Sequence, residues 1–547
     1  MATYVNDLRL KEIATGDESG TWGTSTNTNL ELIAEKFGTG SEALSDASTA
    51  TITMQDGTSD AFRSFSLTLT GSLSQACTVT LAPNTLSNVW VVQNSAGDTV
   101  TLTQGTGANV VIPNGGIKMI ATDGAGSGAA VTDVLDLTGG TGNVGLGSGA
   151  LGASLTTGTD NVAIGENAGD ALTEGLKNTL VGDNAGGALT TGDNNVAIGY
   201  QALDANQTAN HNVAIGGSAL GSNTTGATNT AVGGESMTAN TEGGNNVALG
   251  YQSLHDLTTG NNNTAIGYQA LSTEDANGDN VAVGYQALKT LNAGADGFNT
   301  AVGYQSGLAL TTGVQNTLIG AEAGDAMTDA ILNVAVGYQA LSGETSGRKS
   351  VGIGYNALGV QNTTTNSDIH NIGIGHNAGG SITTGIENVI IGGLAGDALT
   401  DADVNIAIGM SALSSDTKGS KSIAIGKGTL FAQNFTTATD SNNIAIGTNA
   451  GLSVTTGQQN TLIGDFAGDA MTDVDFNVAV GHQALSGEVL GSRSTAIGRA
   501  ALRTQSFSTA TEVYNVAVGF NAGLSVTTGN GNTLVGGLAG DALTDAD

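Results

Sequence analysis

Seven tyrosines occupy one offset of a repeated sequence, and they are the side chains best suited to bind a ligand. Each directly follows a glycine that closes a short unit such as Asn-Val-Ala-Ile-Gly, and four of them stand in consecutive repeats. A row of aromatic rings can contact sugars or can pack at a boundary between chains. We favour an interface and keep a glycan contact as the alternative. The tyrosines are Tyr200, Tyr251, Tyr268, Tyr285, Tyr304, Tyr338 and Tyr355.

The acidic, histidine and glycine-rich patterns do not predict catalysis. Carboxylates recur on turns such as GDAMTD, whereas glycoside hydrolysis needs a carboxylate pair in one cleft. The five histidines lie at differing offsets, and the Gly-x-Gly patterns belong to the repeat and lack the β-α-β context of a phosphate loop. We therefore expect no enzyme activity, no metal and no cofactor. Calcium at the acidic turns is the weaker alternative, because the nine-residue pattern of calcium-binding β-rolls is absent.

Composition narrows the class of protein. The 547 residues include 85 Gly and only two Pro, aromatic residues make up 4%, and the formal net charge is −33. Such a chain has too little aromatic mass for a conventional core and too much aliphatic content for disorder. The negative charge argues against nucleic acid and anionic lipid as partners. The start MATYVNDLRLKEIATG is not a secretory signal, and no apolar run is long enough to span a bilayer, so we expect no membrane insertion.

The repeat has a regular period. The closing glycines run from Gly147 to Gly536, and most of them follow one another at a constant 17-residue step. From residue 303 onward, three such steps are followed by one 21-residue step, so that the blocks recur with a 72-residue period. Helix-pair repeats are longer, and the Val, Ile, Thr and Gly content disfavours helices. The period predicts a parallel β-solenoid with two short strands and two turns in each coil.

The alternation within each unit predicts two faces. In Asn195 to Gly199, Val196 and Ile198 share one face, whereas Ala197 and Gly199 share the other. We expect the aliphatic face to fill the coil and the small face to admit the backbone of a second copy. On this interpretation, Ala197→Leu should disrupt trimerisation more than Asp193→Ala.

An asparagine four positions before each closing glycine predicts a hydrogen-bonded ladder along the solenoid axis. Ser350, Ser422 and Ser494 replace it at 72-residue intervals, each after a basic residue and one coil after an acidic turn. We expect these basic and acidic turns to be neighbours. The ladder residues include Asn161, Asn178, Asn195, Asn212, Asn229, Asn246, Asn263 and Asn280.

Two further regions precede the repeats. Residues 1–43 contain a helix that we expect Asn29 to cap, with an apolar stripe of Leu30, Leu32, Ile33 and Phe37. That stripe needs a partner, which is another copy, a virion protein or the β-domain of the same chain. Residues 44–138 show alternating strands that predict a small antiparallel β-sandwich or barrel with Trp90 in its core. Residues 139–547 form the repeat array.

The repeat resembles a known family. Its Asn-Val-Ala-Ile-Gly units are similar to the head repeats of trimeric autotransporter adhesins, over about three quarters of the chain. Those heads are left-handed parallel β-rolls that associate as trimers, so the resemblance implies an all-β, homotrimeric, elongated solenoid. The 17-residue and 21-residue coils exceed the shorter coils usual in the adhesins.

The opening segment resembles a different class. SGTWGTSTNTNLELIAEKF, from Ser19 to Phe37, is similar to the N-terminal attachment segments of tail fibres from marine tailed bacteriophages, including cyanophages. This resemblance implies a trimeric fibre in the virion, extracellular when mature, that docks on a tail adaptor, nozzle or baseplate protein. Docking would involve Trp22, Leu30, Ile33 and Phe37, and a distal region would contact a host receptor, expected to be a glycan. A bacterial trimeric surface adhesin is the main alternative, and a polysaccharide-degrading tailspike is a third.

Overall fold

The computed structural model describes residues 4–5, 7–13, 20–134, 142–152 and 155–547. The fold is almost entirely β, with one α-helix among these residues, and the chain divides into two units, Met1–Thr138 and Gly139–Asp547. Ser19 and the residues that flank the expected domain junction, 135–141, lie outside the described residues.

The first unit has one helix, eleven short strands and two 3-10 turns within the described residues. Its elements are β1 (Tyr4–Val5), β2 (Leu10–Lys11), α1 (Trp22–Lys36), β3 (Thr39–Leu44), β4 (Thr49–Thr53), β5 (Ser66–Gly71), β6 (Cys77–Ala82), β7 (Ser87–Ser95), β8 (Val100–Thr103), β9 (Val110–Ile112), β10 (Ile117–Asp123) and β11 (Val131–Asp133), with the 3-10 turns at Ala61–Arg63 and Gly126–Gly128.

The sheets of the first unit are mixed, so the prediction of an antiparallel β-sandwich or barrel is wrong. β3, β5 and β7 run parallel in one sheet, and β4, β6 and β8 run parallel in the other. The chain alternates between the two sheets, and each return to a sheet therefore runs in the same direction. Only β9, β10 and β11 add antiparallel pairs to these sheets. Strand spacing in a sequence indicates strands but not their partners, which explains the error.

Trp90 is the core aromatic residue of the first unit, as the sequence predicts. Its side chain is fully buried, its ring stacks on Phe62 at 4.7 Å between centroids, and its indole N–H donates to the Phe62 carbonyl at 2.8 Å. Arg63 is buried beside this pair. Its guanidinium donates to the carbonyl oxygens of Gln55 and Thr58 and pairs with the Asp60 carboxylate at 3.2 Å. These contacts compensate for the loss of hydration of a buried charge.

The second unit is a solenoid built on one long parallel sheet of 23 strands. Its strands are β12 (Val144–Leu146), β13 (Val162–Ile164), β14 (Thr179–Val181), β15 (Val196–Ile198), β16 (Val213–Ile215), β17 (Thr230–Val232), β18 (Val247–Leu249), β19 (Thr264–Ile266), β20 (Val281–Val283), β21 (Thr300–Val302), β22 (Thr317–Ile319), β23 (Val334–Val336), β24 (Val351–Ile353), β25 (Ile372–Ile374), β26 (Val389–Ile391), β27 (Ile406–Ile408), β29 (Ile423–Ile425), β31 (Ile444–Ile446), β32 (Thr461–Ile463), β33 (Val478–Val480), β35 (Thr495–Ile497), β37 (Val516–Val518) and β38 (Thr533–Val535), and two-residue strands lie at β28 (Gly419–Ser420), β30 (Thr439–Asp440), β34 (Gly491–Ser492) and β36 (Thr511–Glu512).

The sheet is in register throughout, which confirms the parallel β-solenoid. Each strand pairs with the equivalent three residues of the next coil, for example Val196 with Val213. Most coils contain one strand and not the expected two. In the described part of the chain, a second ladder of strands forms beside two of the 21-residue coils, where β28 pairs with β30 and β34 with β36, and the third such coil has a single bridge between Arg348 and Asp368. The other sides of the coil are turns and bends, with positive φ angles at recurring positions such as Gly199, Gln201 and Leu203 that a strand does not allow.

The two faces of each strand are reversed relative to the sequence interpretation. Ala197 is fully buried inside the coil, whereas Val196 is half-buried and Ile198 is 38% exposed. The interior is narrow because the chain turns sharply after the strand, with Gly199 at φ 136° and Leu203 at φ 55°. Leu203 fills the space opposite the strand, so only a small side chain fits at the strand centre. Alternation identifies two faces, but the curvature of the coil decides which one is inside.

Side-chain volumes inside the solenoid compensate between neighbouring coils. Where the strand centre is a leucine, as at Leu318, the leucine of the turn is replaced by glycine in the same coil and in the coil before it. A Cβ atom on Gly307 would lie 2.7 Å from one methyl group of Leu318, and a Cβ atom on Gly324 would lie 2.9 Å from the other. The larger residue therefore occupies the volume that the glycines leave free, which keeps the coil at native packing density.

Candidate binding surfaces

The predicted asparagines form a buried ladder along the axis. The side-chain oxygen of Asn178 accepts from the backbone N–H of Asn195 at 2.9 Å and from its amide at 3.2 Å. The Asn195 amide also donates to the Ala209 carbonyl at 2.9 Å. Each amide thus joins its own coil to the coil before it and to the turn of the coil after it, which is a structural role.

The serines that interrupt this ladder are bridged by residues that sequence reasoning missed. Gln361 donates to the Ser350 hydroxyl at 3.1 Å, and its oxygen accepts from the amide of the next ladder residue, Asn371, at 3.0 Å. Gln361 also donates to the buried carboxylate of Glu344 at 2.7 Å. Gln433 with Asp416, and Gln505 with Glu488, repeat this arrangement. The signal was present in the sequence as an acid and a glutamine that recur once in each 72-residue block.

The basic residues before these serines pair with acids of the coil that follows, whereas the expected contact with an acidic turn is made by a nearby residue in one block, Lys418 with Asp401 at 3.4 Å. Lys349 donates to Asp368 at 2.6 Å, Lys421 pairs with Asp440, and Arg493 with Glu512. These acids lie in the 21-residue coil that follows, not in the acidic turn that precedes. The hydrogen bond from Lys349 lowers the pKa of Asp368. All three pairs are exposed, so they contribute little to stability.

Glu274 is a buried acid without a glutamine neighbour. One of its oxygens accepts from the backbone and amide of Asn277, at 3.2 and 3.0 Å, whereas the other has no hydrogen-bond partner. The next coil places Leu291 where the other acids meet a glutamine. Burial is the main cause that raises the pKa of Glu274 above 4.5.

We expect Glu274→Gln to stabilise the chain at neutral pH and to have little effect near pH 4. Because the folded-state pKa is raised, the unfolded chain releases this proton first as pH increases, and stability falls from about pH 4.5 up to the raised pKa. Thermal unfolding of both proteins at pH 4 and pH 7.5 measures the difference. Equal unfolding temperatures of the two proteins at pH 7.5 would contradict the conclusion that the buried charge of Glu274 destabilises the fold.

The outward face of the long sheet is a largely apolar surface without a charged residue, which we call the outer stripe. It consists of the first and third residues of the 23 strands, β12 to β38 without the two-residue strands. The first residue is always Val, Ile or Thr, and the third is always Val, Ile or Leu. Third residues that are clearly exposed include Ile164, Ile198, Leu249, Val302, Ile319, Ile446, Ile463 and Ile497.

The tyrosines form an exposed ladder at the edge of the outer stripe, one turn residue beyond it. Tyr251, Tyr268, Tyr285 and Tyr304, which we call the tyrosine ladder, stack in sequence at 5.8, 5.3 and 5.3 Å between ring centroids. Tyr338, Tyr355 and His376 form a shorter stack. Tyr200 is exposed, and the same column holds Asp183 and Gly217 in the adjacent coils, so it has no aromatic neighbour there.

A row of glutamines lies beside the tyrosine ladder. Gln269 donates to Gln252 at 2.9 Å, Gln286 to Gln269 at 3.0 Å, and Gln305 to Gln286 at 3.1 Å. Gln252 and Tyr251 both donate to Glu235, at 2.8 and 3.2 Å. Burial and the hydrogen bond to Glu235 raise the pKa of Tyr251. The Tyr251 hydroxyl is therefore neutral and able to donate at physiological pH.

Helix α1 leaves most of its apolar stripe exposed. Leu32 is buried against its own unit, and Lys36 donates to Asn88 and to the Val89 carbonyl at 2.6 and 2.8 Å, with its pKa lowered to about 8 by burial. The residues expected to dock, Trp22, Leu30, Ile33 and Phe37, are exposed.

Asn29 lies inside helix α1 and does not cap it, because the helix begins at Trp22. Its amide instead donates to the Lys11 carbonyl at 3.0 Å, and its oxygen accepts from the Lys11 N–H at 3.1 Å. The expected cap is therefore wrong. The residues before Asn29 are polar and lack an apolar period, which concealed the first two turns of the helix.

Neither a cluster of metal-binding side chains nor a membrane-spanning helix is present among the described residues. No group of three His, Cys, Asp or Glu side chains there is arranged to hold a metal ion. None of the helices in the described part of the chain is long and apolar enough to cross a membrane.

The fold and these surfaces define a repeat protein of the parallel β-solenoid class, with one apolar stripe along its sheet and a local ladder of tyrosines and glutamines beside it. No protein-family model and no curated protein matches the sequence.

Proposed function

We propose that the chain forms the shaft of a homotrimeric tail fibre in the virion of a tailed bacteriophage. The observation that carries this proposal is the outer stripe, which presents aliphatic side chains in 23 consecutive coils without a charged residue. Continuous exposed apolar surface of this extent marks an interaction site. A stripe that is the same on each copy is suited to self-association around a common axis. Three copies are the number that the adhesin-like repeat implies.

The two ends of the proposed fibre have different functions. The exposed side chains of Trp22, Leu30, Ile33 and Phe37 support docking of the N-terminal segment on a tail adaptor, nozzle or baseplate protein. The solenoid acts as a stiff spacer, since 22 steps between strands extend about 105 Å. It holds a distal, receptor-binding region away from the particle, in the extracellular space where a host glycan is accessible.

We expect Ile198→Asp with Ile215→Asp to abolish trimerisation and to leave each chain folded. These side chains are the third residues of adjacent strands, so two charges would enter the buried boundary at one place. Light scattering after size exclusion should show the mass fall to one third. Thr191→Asp with Thr208→Asp is the matched control, because both threonines are on turns of consecutive coils, away from the outer stripe. A single-chain mass for the unchanged protein would refute the assembly.

Immunogold labelling tests the assignment to a virion. Antibodies against the solenoid should label fibres on phage particles, and antibodies against the first unit should label the end nearest the tail. Labelling of bacterial cell surfaces, with none on particles, would overturn the proposal in favour of a surface adhesin.

A further inference from the structure

The tyrosine ladder is confined to a few coils, unlike the outer stripe. At the same offset, other coils carry side chains as different as Glu166, Gly217, Ala321 and Lys427. A seam between copies that runs along the shaft requires similar residues in every coil, as the outer stripe provides. The ladder is therefore better explained as a local binding surface than as part of the assembly contact.

The ladder is a rigid surface with rings in defined positions. Tyr268, Tyr285 and Tyr304 are nearly parallel, with interplanar angles of 9° and 8° between neighbours, and each ring is more than two fifths exposed. The rings follow an in-register sheet whose strands fix their spacing. Tyrosine offers a large amphipathic contact area at low conformational cost, and this ladder is already ordered before a ligand binds.

The adjacent glutamines supply hydrogen-bonding groups at the same spacing. An amide has two N–H donors and two lone pairs on oxygen. Within the row, Gln269 uses one donor toward Gln252 and one lone pair toward Gln286, and Gln286 does the same between Gln269 and Gln305. The remaining capacity, together with the tyrosine hydroxyls, matches a ligand that carries many hydroxyl groups and displays apolar C–H faces.

The charge of the ladder and of the whole chain disfavours basic and anionic ligands. The four tyrosines and the four glutamines are neutral, and Glu235 at one end of the ladder is already bound by Tyr251 and Gln252. A basic partner is attracted to the acidic turns, and an anionic one is repelled by a chain of net charge −33. A neutral ligand therefore fits this surface best.

We propose that the tyrosine ladder and its glutamine row bind a neutral, linear polysaccharide that lies along the side of the shaft. The proposal goes beyond the function stated above, because it makes the shaft itself adhesive as well as its distal region. Equivalent contacts in consecutive coils act on one glycan chain together, which raises the affinity above that of a single contact.

Calorimetric titration with cellohexaose and maltohexaose tests the proposal, with an alginate oligosaccharide as the anionic comparison. The unchanged protein should bind at least one neutral hexasaccharide and not alginate. Tyr268→Ala with Tyr285→Ala should weaken that binding about 10-fold or more, since two ring contacts are removed. Alanine is compatible with the coil, because Ala321 occupies the same offset. Tyr514→Ala, at an exposed tyrosine outside the ladder, should leave binding unchanged.

Three results would overturn the proposal: no binding of either neutral hexasaccharide, equal binding by the double variant, or a change in oligomeric mass on Tyr268→Ala with Tyr285→Ala. The last result would make the ladder a contact between copies. Light scattering on the same samples reports assembly independently of the titration, so the fibre proposal and the glycan proposal can fail separately.

Discussion

Gly267→Ala should unfold its part of the solenoid. Gly267 has φ 135°, a conformation essentially restricted to glycine, and an added Cβ atom would lie within van der Waals overlap of the Gly284 carbonyl oxygen of the next coil. The obstructing atom is backbone in a continuous sheet, so it cannot move aside without breaking the pairing of β19 with β20. We expect a loss of about 4 kcal/mol or more, the sum of backbone strain and overlap.

Hydrogen exchange across the coils measures this effect. In a solenoid each coil contacts mainly its neighbours, so amide protection should be lost first near residues 250–284 and be retained in distant coils. Gly536→Ala is the matched control, because Gly536 has the same kind of φ, 125°, with no atom within 4 Å of the added Cβ. If Gly267→Ala and Gly536→Ala lose equal stability, the loss comes from backbone strain alone. The expected contribution of overlap between coils is then wrong.

Glu488→Leu should destabilise the chain by about 3–5 kcal/mol, because it leaves buried donors without an acceptor. One oxygen of Glu488 accepts from the backbone N–H groups of residues 489, 490 and 491 at 2.8, 3.1 and 2.6 Å and from that of Phe507 at 3.2 Å. The other accepts from Gln505 at 2.7 Å. Leucine has a similar size but no acceptor, so the turn and the following 21-residue coil both lose their anchor.

Thermal unfolding compares this variant with Glu512→Leu, which removes an exposed acid of the same long coil. Glu512 pairs with Arg493 in solvent, so its loss should change the unfolding temperature little. Glu344→Leu should reproduce the effect of Glu488→Leu, because Glu344 makes the same contacts in the equivalent coil two blocks earlier. A small effect at both buried acids would show that water replaces the lost acceptor.

The repeat made much of the second unit predictable. Closing glycines at 17-residue steps indicated the coils, since a parallel ladder places equivalent residues of successive coils side by side. Asn178 and Asn195 follow the same rule, and the structure places their side-chain amides within hydrogen-bonding distance. The first unit shows no such period, so strands such as β5 and β7 were recognised, whereas β3 and the parallel partners of the strands were not.

The sequence by itself determined the period, the aliphatic and small faces of each strand, and the columns of Asn and Tyr, because these depend only on spacing along the chain. The tertiary structure alone decided that Ala197 faces inward and Ile198 outward, since coil width is set by the turn angles at Gly199 and Leu203. It also decided that the tyrosine ladder is exposed and that buried acids meet glutamines from the next coil. Those outcomes depend on curvature and on contacts between coils, which residue spacing does not encode.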